Sequence, residues 1–434
     1  MNRPGIADRA RKRITRRILP YLFLLYIVAY LDRVNLSYAA LEMNKDLRFS
    51  PEVYGFGAGI FFAGYFLLEI PGAILVEKWS ARAWIARIMI SWGVVAVLTG
   101  FVHSATQFYW IRFLLGAAEA GFFPGIVVYL SHWFLYEDRA KALATFAAAQ
   151  PIANIIAAPI SGFLLGIHWL GMPGWRWLFI LEGIPAVVLG GITLIYLTDW
   201  PHQARWLPGA ERQWIIEELQ EEKRTRQEAH PYGVWKTLGQ PRMIVLIVAY
   251  FFMVTSVYGF TFWMPAIVKK LSGFSNLSVS LLSALPYTVG LIAMLLLGWS
   301  SDRTKERRWH TALPMIVAGT GLALAVLSQN VPILMIAMFC LAAAGMYGYF
   351  PAFWSLPSGF LTGTVAAALI GTINSIGNLG GFAGPYVVGY LNRIAHSFSA
   401  GVICLALSAV VAAGLILSGR IGGQQTASSK ATSA

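Results

Sequence analysis

Charged side chains are scarce in this chain of 434 residues, where Asp, Glu, Lys and Arg together make up only 12%. Soluble domains carry about 25% charged residues, so the composition excludes an ordinary water-facing surface. Cysteine is almost absent, since Cys340 and Cys404 are the only two and neither belongs to a CxxC pair. This count excludes a disulfide framework and dithiol chemistry.

Motifs for enzymatic chemistry are also lacking. The seven histidines are scattered in loops and near the ends of apolar runs, and the sequence contains no HExxH motif and no glycine-rich nucleotide loop. We therefore expect no metal, no cofactor and no enzymatic activity, and a membrane-embedded enzyme is the least favoured alternative. A histidine proton relay at mid-membrane is excluded for the same reason.

Long apolar runs dominate the chain, in which AVILMFWYC residues make up 57%. The runs last about twenty residues without polar alternation, which predicts membrane-spanning helices rather than barrel strands. We predict an all-α membrane protein whose twelve transmembrane helices form two pseudo-symmetric six-helix bundles. The twelve runs are 18–40, 53–76, 84–102, 107–133, 140–166, 176–198, 242–268, 278–299, 311–328, 331–355, 362–391 and 397–419.

The net charge of +13 follows the predicted topology rather than indicating nucleic-acid binding. If both termini are cytoplasmic, 25 of the 33 Lys and Arg lie on that side, six lie opposite and two lie inside runs, as the positive-inside rule requires. We expect a multi-pass protein of the bacterial inner membrane, with an N-terminal bundle (1–198), a cytoplasmic linker (199–240) and a C-terminal bundle with a short polar tail (241–434). Residues 211–226 of the linker read as an amphipathic helix.

The two halves share a faint repeat at half-chain spacing. Each has a glycine, then an acid with a basic neighbour, then an arginine five residues past the acid. The first copy comprises Gly72, Glu77, Lys78 and Arg82, and the second comprises Gly298, Asp302, Arg303 and Arg307. Such repeats are typical of secondary transporters.

Both copies resemble the cytoplasmic motif of the major facilitator superfamily, and the resemblance covers nearly the whole chain. Four further segments resemble the anion:cation symporter family: LDRVNLS at 31–37, RFLLGAAEAGFFPG at 112–125, WRWLFILEG at 175–183 and NSIGNLGG at 374–381. The resemblance implies twelve helices, alternating access and proton-driven uptake of organic anions. Members with similar motifs take up tartrate, phthalate, hexonates and related carboxylates.

Four ionisable residues lie well inside predicted spans: Asp32, Arg33, Arg112 and Glu119. A charge at the centre of a bilayer helix costs at least about 2.5–3.5 kcal/mol, so these residues must be paired or used. A guanidinium matches a carboxylate bidentately, so Arg33 and Arg112 are the predicted anion clamp. Asp32 and Glu119 are the predicted proton carriers. Alternatively, each arginine only neutralises an acid, Arg33 with Glu119 or Arg112 with Asp32.

Other polar and aromatic residues inside the runs are weaker candidates. Glu69 and Glu182 each precede a proline, and we expect them to brace a local bend. The resemblance places Tyr65 and Gln150 near the substrate. The C-terminal half offers only neutral candidates for the substrate site: Tyr258, Trp263, Trp354, Asn374 and Asn378.

The sequence therefore predicts a secondary active transporter, a monomer, that moves a small organic anion with protons by alternating access. Tartrate-like hydroxy acids, hexonates and phthalate-like aromatic acids all fit the arginines. A passive facilitator or channel for the same anions is the closest alternative, although pores seldom bury unlike charges on two helices. Protons and the lipid bilayer are the other expected partners.

Overall fold

A computed structural model describes residues 3–227, 239–358 and 363–419, and every regular element in these ranges is helical. The helices before the linker are α1 (Arg3–Asp46), α2 (Pro51–Lys78), α3 (Ala81–Thr99), α4 (Ala105–Glu119), α5 (Phe122–Ser131), α6 (Tyr136–Ala147), α7 (Ala149–Leu165) and α8 (Gly174–Tyr196). The remaining helices are α9 (Gly209–Gln227), α10 (Pro241–Ser272), α11 (Asn276–Thr304), α12 (Arg308–Leu327), α13 (Pro332–Gly348), α14 (Phe350–Ser358), α15 (Gly363–Asn378), α16 (Gly380–Ala395) and α17 (Ser399–Ser418).

Within the described residues, ten of the twelve predicted spans are present as helical segments long and apolar enough to cross a membrane, and two of these ten, 105–131 and 332–357, also contain a break between two helices. The other two predicted runs, 140–166 and 362–391, are each built from two consecutive helices instead of one. These pairs are α6 with α7 and α15 with α16. The all-α fold predicted from composition is therefore confirmed, with a difference in how these two spans are made.

Four spans are interrupted, and the interruptions repeat at half-chain spacing. They separate α4 from α5, α6 from α7, α13 from α14 and α15 from α16. Gly121 ends α4 with a φ of 84°, a left-handed conformation that favours glycine. Pro124, Pro151 and Pro351 stand in the first turns of α5, α7 and α14, where the missing N–H cannot continue a preceding helix. The broken spans are the fourth and fifth of each half.

Successive spans run in alternate directions, which gives the molecule two ends. One end, here called the linker end, carries the N-terminus, α9 and the turn between α5 and α6. The opposite end, called the far end, carries the turns at 46–51 and 272–276. The two halves of the chain meet along three pairs of helices: α2 with α16, α7 with α11, and α1 with α10.

The linker helix packs on the first half. Glu211 is 4% exposed, and its carboxylate forms ion pairs with Arg13 at 3.1 Å and Arg9 at 3.7 Å. Both arginines lie in the N-terminal part of α1. Glu222 pairs with Arg139 at 2.9 Å, which ties the other end of α9 to α6. The helix predicted over 211–226 is thus present as α9.

Both repeat glycines sit against an interrupted span. A Cβ on Gly72 would lie 3.3 Å from Gly121, at the α4–α5 break. A Cβ on Gly298 would lie 3.3 Å from the ring of Pro351, at the α13–α14 break. The motif glycines therefore occupy equivalent positions in the two halves. The side chains of residues 77–78 lie outside the described part of the structure.

The motif arginines stabilise the linker end of each half. Arg82 pairs with Asp199 at 3.7 Å, which links the start of α3 to the end of α8. Arg307 pairs with Asp302 at 2.8 Å, within the turn between α11 and α12. Arg303 stacks on a neighbouring tryptophan ring. These contacts hold together the turns at the linker end, and Asp199 is buried there.

Candidate functional site

The predicted charges converge at mid-height of the first half, where α1 passes α4. Asp32 and Arg33 are adjacent on α1 and therefore point about 100° apart. Arg33 points toward α4 and across to α10, whereas Asp32 points into the first half. Arg112 and Glu119 are seven residues apart on α4, two turns along the same face. All four side chains are largely removed from solvent.

Arg33 is bonded through both of its Nη atoms, whereas its Nε has no hydrogen-bond partner among the described residues. Its Nη2 forms an ion pair with Glu119, and its Nη1 donates a hydrogen bond of 3.0 Å to the hydroxyl of Tyr258 on α10. The guanidinium also lies over the rings of Tyr30 at 4.9 Å and Tyr65 at 5.6 Å, where cation–π attraction stabilises it. Of the two alternative neutralising pairs, the structure contains Arg33 with Glu119.

Arg112 is in the opposite situation. It is 0% exposed, and none of its three nitrogens has a hydrogen-bond partner among the described residues. Its guanidinium lies 5.0 Å from the ring centre of Phe61, and no ion pair with Asp32 is formed in the described structure. A buried cation without hydrogen bonds is costly. Five N–H donors in a planar fork are therefore available to an incoming anion.

Asp32 lies on the side of α1 that faces away from Arg33. Its Oδ1 accepts a hydrogen bond of 3.1 Å from the amide of Asn35, one turn along α1. Its Oδ2 is buried without a hydrogen-bond donor among the described residues. Asp32 and Glu119, the two predicted proton carriers, therefore sit in different surroundings. Glu119 has a cation beside it, and Asp32 has a neutral amide.

Glu69 has a different partner from the one expected. Its carboxylate accepts hydrogen bonds from the amide of Asn374 at 2.9 Å and the hydroxyl of Ser375 at 2.5 Å, both on α15 in the second half. The residue thus bridges the two halves rather than bracing the bend at Pro71. The same bond accounts for one donor of Asn374, which was a substrate-site candidate.

The remaining candidates for the substrate site have different surroundings. Tyr65 is buried beside Arg33, and Gln150 is half-buried at the start of α7. Trp354 packs edge-on against Tyr250 within the second half. Trp263 donates a hydrogen bond of 2.9 Å to the carbonyl of Pro385, and Asn378 is half-buried. The structure therefore brings Tyr65 and Tyr258 to Arg33, but not Trp354 or Trp263.

Two residues beside Arg33 and Arg112 were not predicted from the sequence. Tyr30 stands one turn before Arg33 on α1, and Phe61 on α2 lies close to both guanidinium groups. The three-residue spacing of Tyr30 and Arg33 was a usable signal, because residues three apart share a helix face. For Phe61 the sequence offers no such signal, since α2 is apolar on all sides.

Comparisons with known proteins identify the family of this chain. The profile of the Major Facilitator Superfamily matches residues 22–385. A protein of Agrobacterium vitis named "Putative tartrate transporter" is 45% identical over 94% of this chain and 94% of its own length. A "Quinolone resistance transporter" of Acinetobacter baumannii is 36% identical over 93% of both chains.

Solved structures show the same fold. The inward-open xylose transporter XylE from E. coli superposes with a TM-score of 0.76, covering 95% of this chain and 97% of its own at 13% identity. At this identity the likeness concerns the fold alone. The family profile and the relatives together show that the chain belongs to the Major Facilitator Superfamily of membrane transporters.

Proposed function

We propose that this protein is a proton-coupled symporter of a small organic anion, working by alternating access. The observation that carries the proposal is Arg112, a fully buried guanidinium without a hydrogen-bond partner in the described structure. It lies on the same face of α4 as Glu119, which is already paired with Arg33. A transported carboxylate would satisfy the donors of Arg112.

A carboxylate with hydroxyl groups is the substrate class that we favour. Arg112 supplies the planar fork. At Arg33, the hydroxyl of Tyr258 lies 3.0 Å from Nη1 and the ring of Tyr65 lies 5.6 Å from the guanidinium, so two tyrosines stand where their hydroxyls could bind substrate hydroxyls. The relative from Agrobacterium vitis is named for tartrate, which is such an acid. Two arginines suit a dicarboxylate such as tartrate or phthalate, whereas a hexonate has a single carboxylate and needs only one of them.

Proton coupling follows from competition for the arginines. Glu119 is stabilised as a carboxylate by Arg33. When a substrate carboxylate draws Arg33 or Arg112 toward itself, Glu119 loses part of that stabilisation and takes up a proton more readily. Binding of the anion and binding of the proton then favour each other. Such linkage is what a symporter requires, and a passive channel does not need it.

The orientation that we propose places the linker end in the cytoplasm of a bacterial inner membrane. The excess of Lys and Arg at this end supports it. Cysteine labelling in intact cells tests this orientation, using single cysteines at Gln220 and Gly273. An impermeant maleimide should react at position 273 and spare position 220. Equal reaction at both positions would refute the orientation.

Reconstitution in liposomes tests the coupling. With an inward proton gradient and radiolabelled tartrate inside and outside, wild-type protein should concentrate tartrate. Glu119→Gln mimics a permanently protonated acid, so it should keep tartrate counterflow and lose accumulation driven by the pH gradient. Asp8→Asn, which removes an exposed carboxylate near the N-terminus, is the matched control and should behave as wild type. Wild-type protein that only equilibrates tartrate, with or without the gradient, would support the facilitator instead.

A further inference from the structure

A second group of buried carboxylates lies behind α1, on the side away from Arg33. Glu182 on α8 is 6% exposed, and its Oε1 accepts a hydrogen bond of 3.3 Å from Ser161 on α7. Asn35 lies between Glu182 and Asp32, donating to Asp32 at 3.1 Å and also interacting with Glu182. One oxygen of each acid, Oδ2 of Asp32 and Oε2 of Glu182, is buried without any hydrogen-bond donor in the described structure.

The buried charges around α1 do not balance. Three acids, Asp32, Glu119 and Glu182, face two arginines. Arg33 forms its ion pair with Glu119. Arg112 makes no ion pair in the described structure but faces Asp32 and Glu119. Glu182 is the unmatched acid, and removing such a charge from water costs several kcal/mol unless it is neutralised.

The groups that face Glu182 cannot supply a positive charge. Asp32 and Tyr38 on α1 are the titratable groups that face it. The neighbour on α7 is Ser161, whose hydroxyl is neutral. On α3 the indole N–H of Trp92, which has no hydrogen-bond partner within normal distance in the described structure, faces Asp32; it can donate a hydrogen bond but carries no charge. A proton is therefore the simplest species that neutralises the pair.

We infer that Glu182 is a second proton-binding residue of the transport cycle, holding one proton that it shares with Asp32. Two carboxylates that share one neutral amide in a dry site cannot both be ionised. The two oxygens without donors are where a shared proton would be held. This inference rests on the proposed symport and adds a second proton to the one carried by Glu119.

The position of Glu182 ties its proton to the movement of the halves. Its donor Ser161 precedes Gly162, whose Cβ, if present, would lie 2.7 Å from the Cβ of Ser280 on α11. Ser161 thus stands next to the α7–α11 seam, along which the two halves meet. When this seam opens, the Ser161 bond to Glu182 is disturbed and water can reach the pair. Proton exchange would then occur once in each cycle.

Proton stoichiometry tests the inference. At clamped zero membrane potential, the logarithm of the tartrate accumulation ratio is plotted against the pH difference, and the slope is the number of protons per anion. We expect a slope of about two for wild type and about one for Glu182→Gln, because one linked proton is lost. Glu182→Asp keeps an acid and should restore the wild-type slope, and Asp8→Asn should not change it.

Infrared spectroscopy provides a readout that does not depend on transport. Wild-type protein at neutral pH should show the carbonyl band of a protonated carboxylic acid, and Glu182→Gln should lose a component of it. Ser161→Ala keeps the acid and removes its donor, so it should move the pH midpoint of tartrate exchange toward alkaline values. This variant covers the case in which Glu182→Gln does not fold.

The outcomes separate the two proposals. A wild-type slope of zero would refute proton symport and this inference together. A nonzero wild-type slope that Glu182→Gln leaves unchanged would refute only the role of Glu182, as would an unchanged midpoint in Ser161→Ala.

Discussion

The two halves of the chain follow the same helical plan but bury different side chains. The buried polar residues of the first half include charged groups, namely Asp32, Glu69, Arg112, Glu119, Arg176 and Glu182. In the second half, where side-chain burial is described for 241–357 and 370–419, the buried polar residues are all Ser, Thr or Asn. The repeat therefore preserves the scaffold, while the buried charges of the two halves, as far as their side chains are described, lie in the first half only.

This asymmetry also shapes the contacts between the halves. Arg33 bonds across to Tyr258, and Glu69 bonds across to Ser375. In both bonds the second half contributes a neutral hydroxyl. Such a bond contributes about 1.5–3 kcal/mol, whereas separating a buried ion pair costs about 3–5 kcal/mol. At these two contacts the halves can therefore separate without breaking an ion pair, so that no unpaired charge is left buried in the second half.

The largest effect on transport is expected at Arg112, the fully buried charge of the first half that has no hydrogen-bond partner in the described structure. Arg112→Lys keeps the charge but loses the planar fork, so tartrate uptake in liposomes should fall more than about tenfold. Arg33→Lys also loses its geometry toward Glu119 and Tyr258. We predict that at least one of the two variants shows this loss, measured as initial uptake per reconstituted protein.

Arg87→Lys is the matched control for these variants. Arg87 lies on α3 and stacks on the ring of Trp84 at 4.1 Å, away from the α1–α4 site. It should transport within about twofold of wild type, as a surface substitution outside the site. Wild-type uptake in both Arg112→Lys and Arg33→Lys would rule out the anion clamp.

Placing a charge in the neutral half should have the next largest effect. Asn374→Asp sets a second carboxylate against Glu69, within a contact that is now a 2.9 Å hydrogen bond. Like charges at this distance cost several kcal/mol, so closure at this contact should be impeded and uptake should fall about tenfold at neutral pH.

Acidification should partly restore uptake in Asn374→Asp, because protonation of either acid removes the repulsion. Asn374→Ala removes one hydrogen bond without adding charge and should lose only about threefold, measured in the same uptake assay over a pH series. Equal losses in the two variants, without recovery at acidic pH, would show that the neutrality of α15 is not what matters.

A smaller effect is expected for Tyr258→Phe. The variant removes the hydroxyl that accepts from Arg33 at 3.0 Å but leaves the ion pair with Glu119. We expect the KM for tartrate to rise about three- to tenfold with little change in the maximal rate. Tyr390→Phe, on a 38% exposed tyrosine of α16, is the control. An unchanged KM in Tyr258→Phe would exclude a contribution of this bond to the site.

Much of the architecture was predictable because it follows from local rules. Apolar run length indicates spanning helices, and the repeated motif around Gly72 and Gly298 indicates two related halves. Run length could not show that spans four, five, ten and eleven are each two helices. That break depends on backbone hydrogen bonds lost at residues such as Pro151, which a hydropathy average does not register.

The site was predictable in its charges but not in its pairing. The cost of burying Arg33, Arg112, Asp32 and Glu119 identified all four from the sequence. Which arginine is paired depends on the rotation of α1 against α4 and α10, a tertiary property. The same limit explains why the partners of Glu69 were not predicted. The nearby Pro71 suggested a local role, whereas the hydrogen-bond partners lie about 305 residues away along the chain.

The smallest effect concerns the linker end, where the two halves cap equivalent helices differently. In the first half Asp199, beyond the end of α8, accepts from the backbone N–H of Arg82 at the start of α3 at 2.8 Å. In the second half Glu306 accepts from the backbone N–H of Trp309 at 2.8 Å at the start of α12. The first cap joins distant helices, and the second is local.

Glu306→Gln should therefore lower the melting temperature only slightly. Partial burial opposes ionisation of Glu306, but the hydrogen bonds from Trp309 and His310 outweigh it and lower its pKa below the ordinary value. A lowered folded-state pKa contributes stability above the unfolded-state pKa, and that contribution is lost as the pH falls through the folded-state value. Glutamine still accepts from the backbone, so we expect a decrease of about 1–3 °C at neutral pH that vanishes in acid. Asp199→Asn should lower the melting temperature more than Glu306→Gln does, because it weakens the contact between the start of α3 and the end of α8. Thermal unfolding of both purified variants over a pH series measures the difference. A larger decrease in melting temperature for Glu306→Gln than for Asp199→Asn would contradict this ranking of the two helix caps.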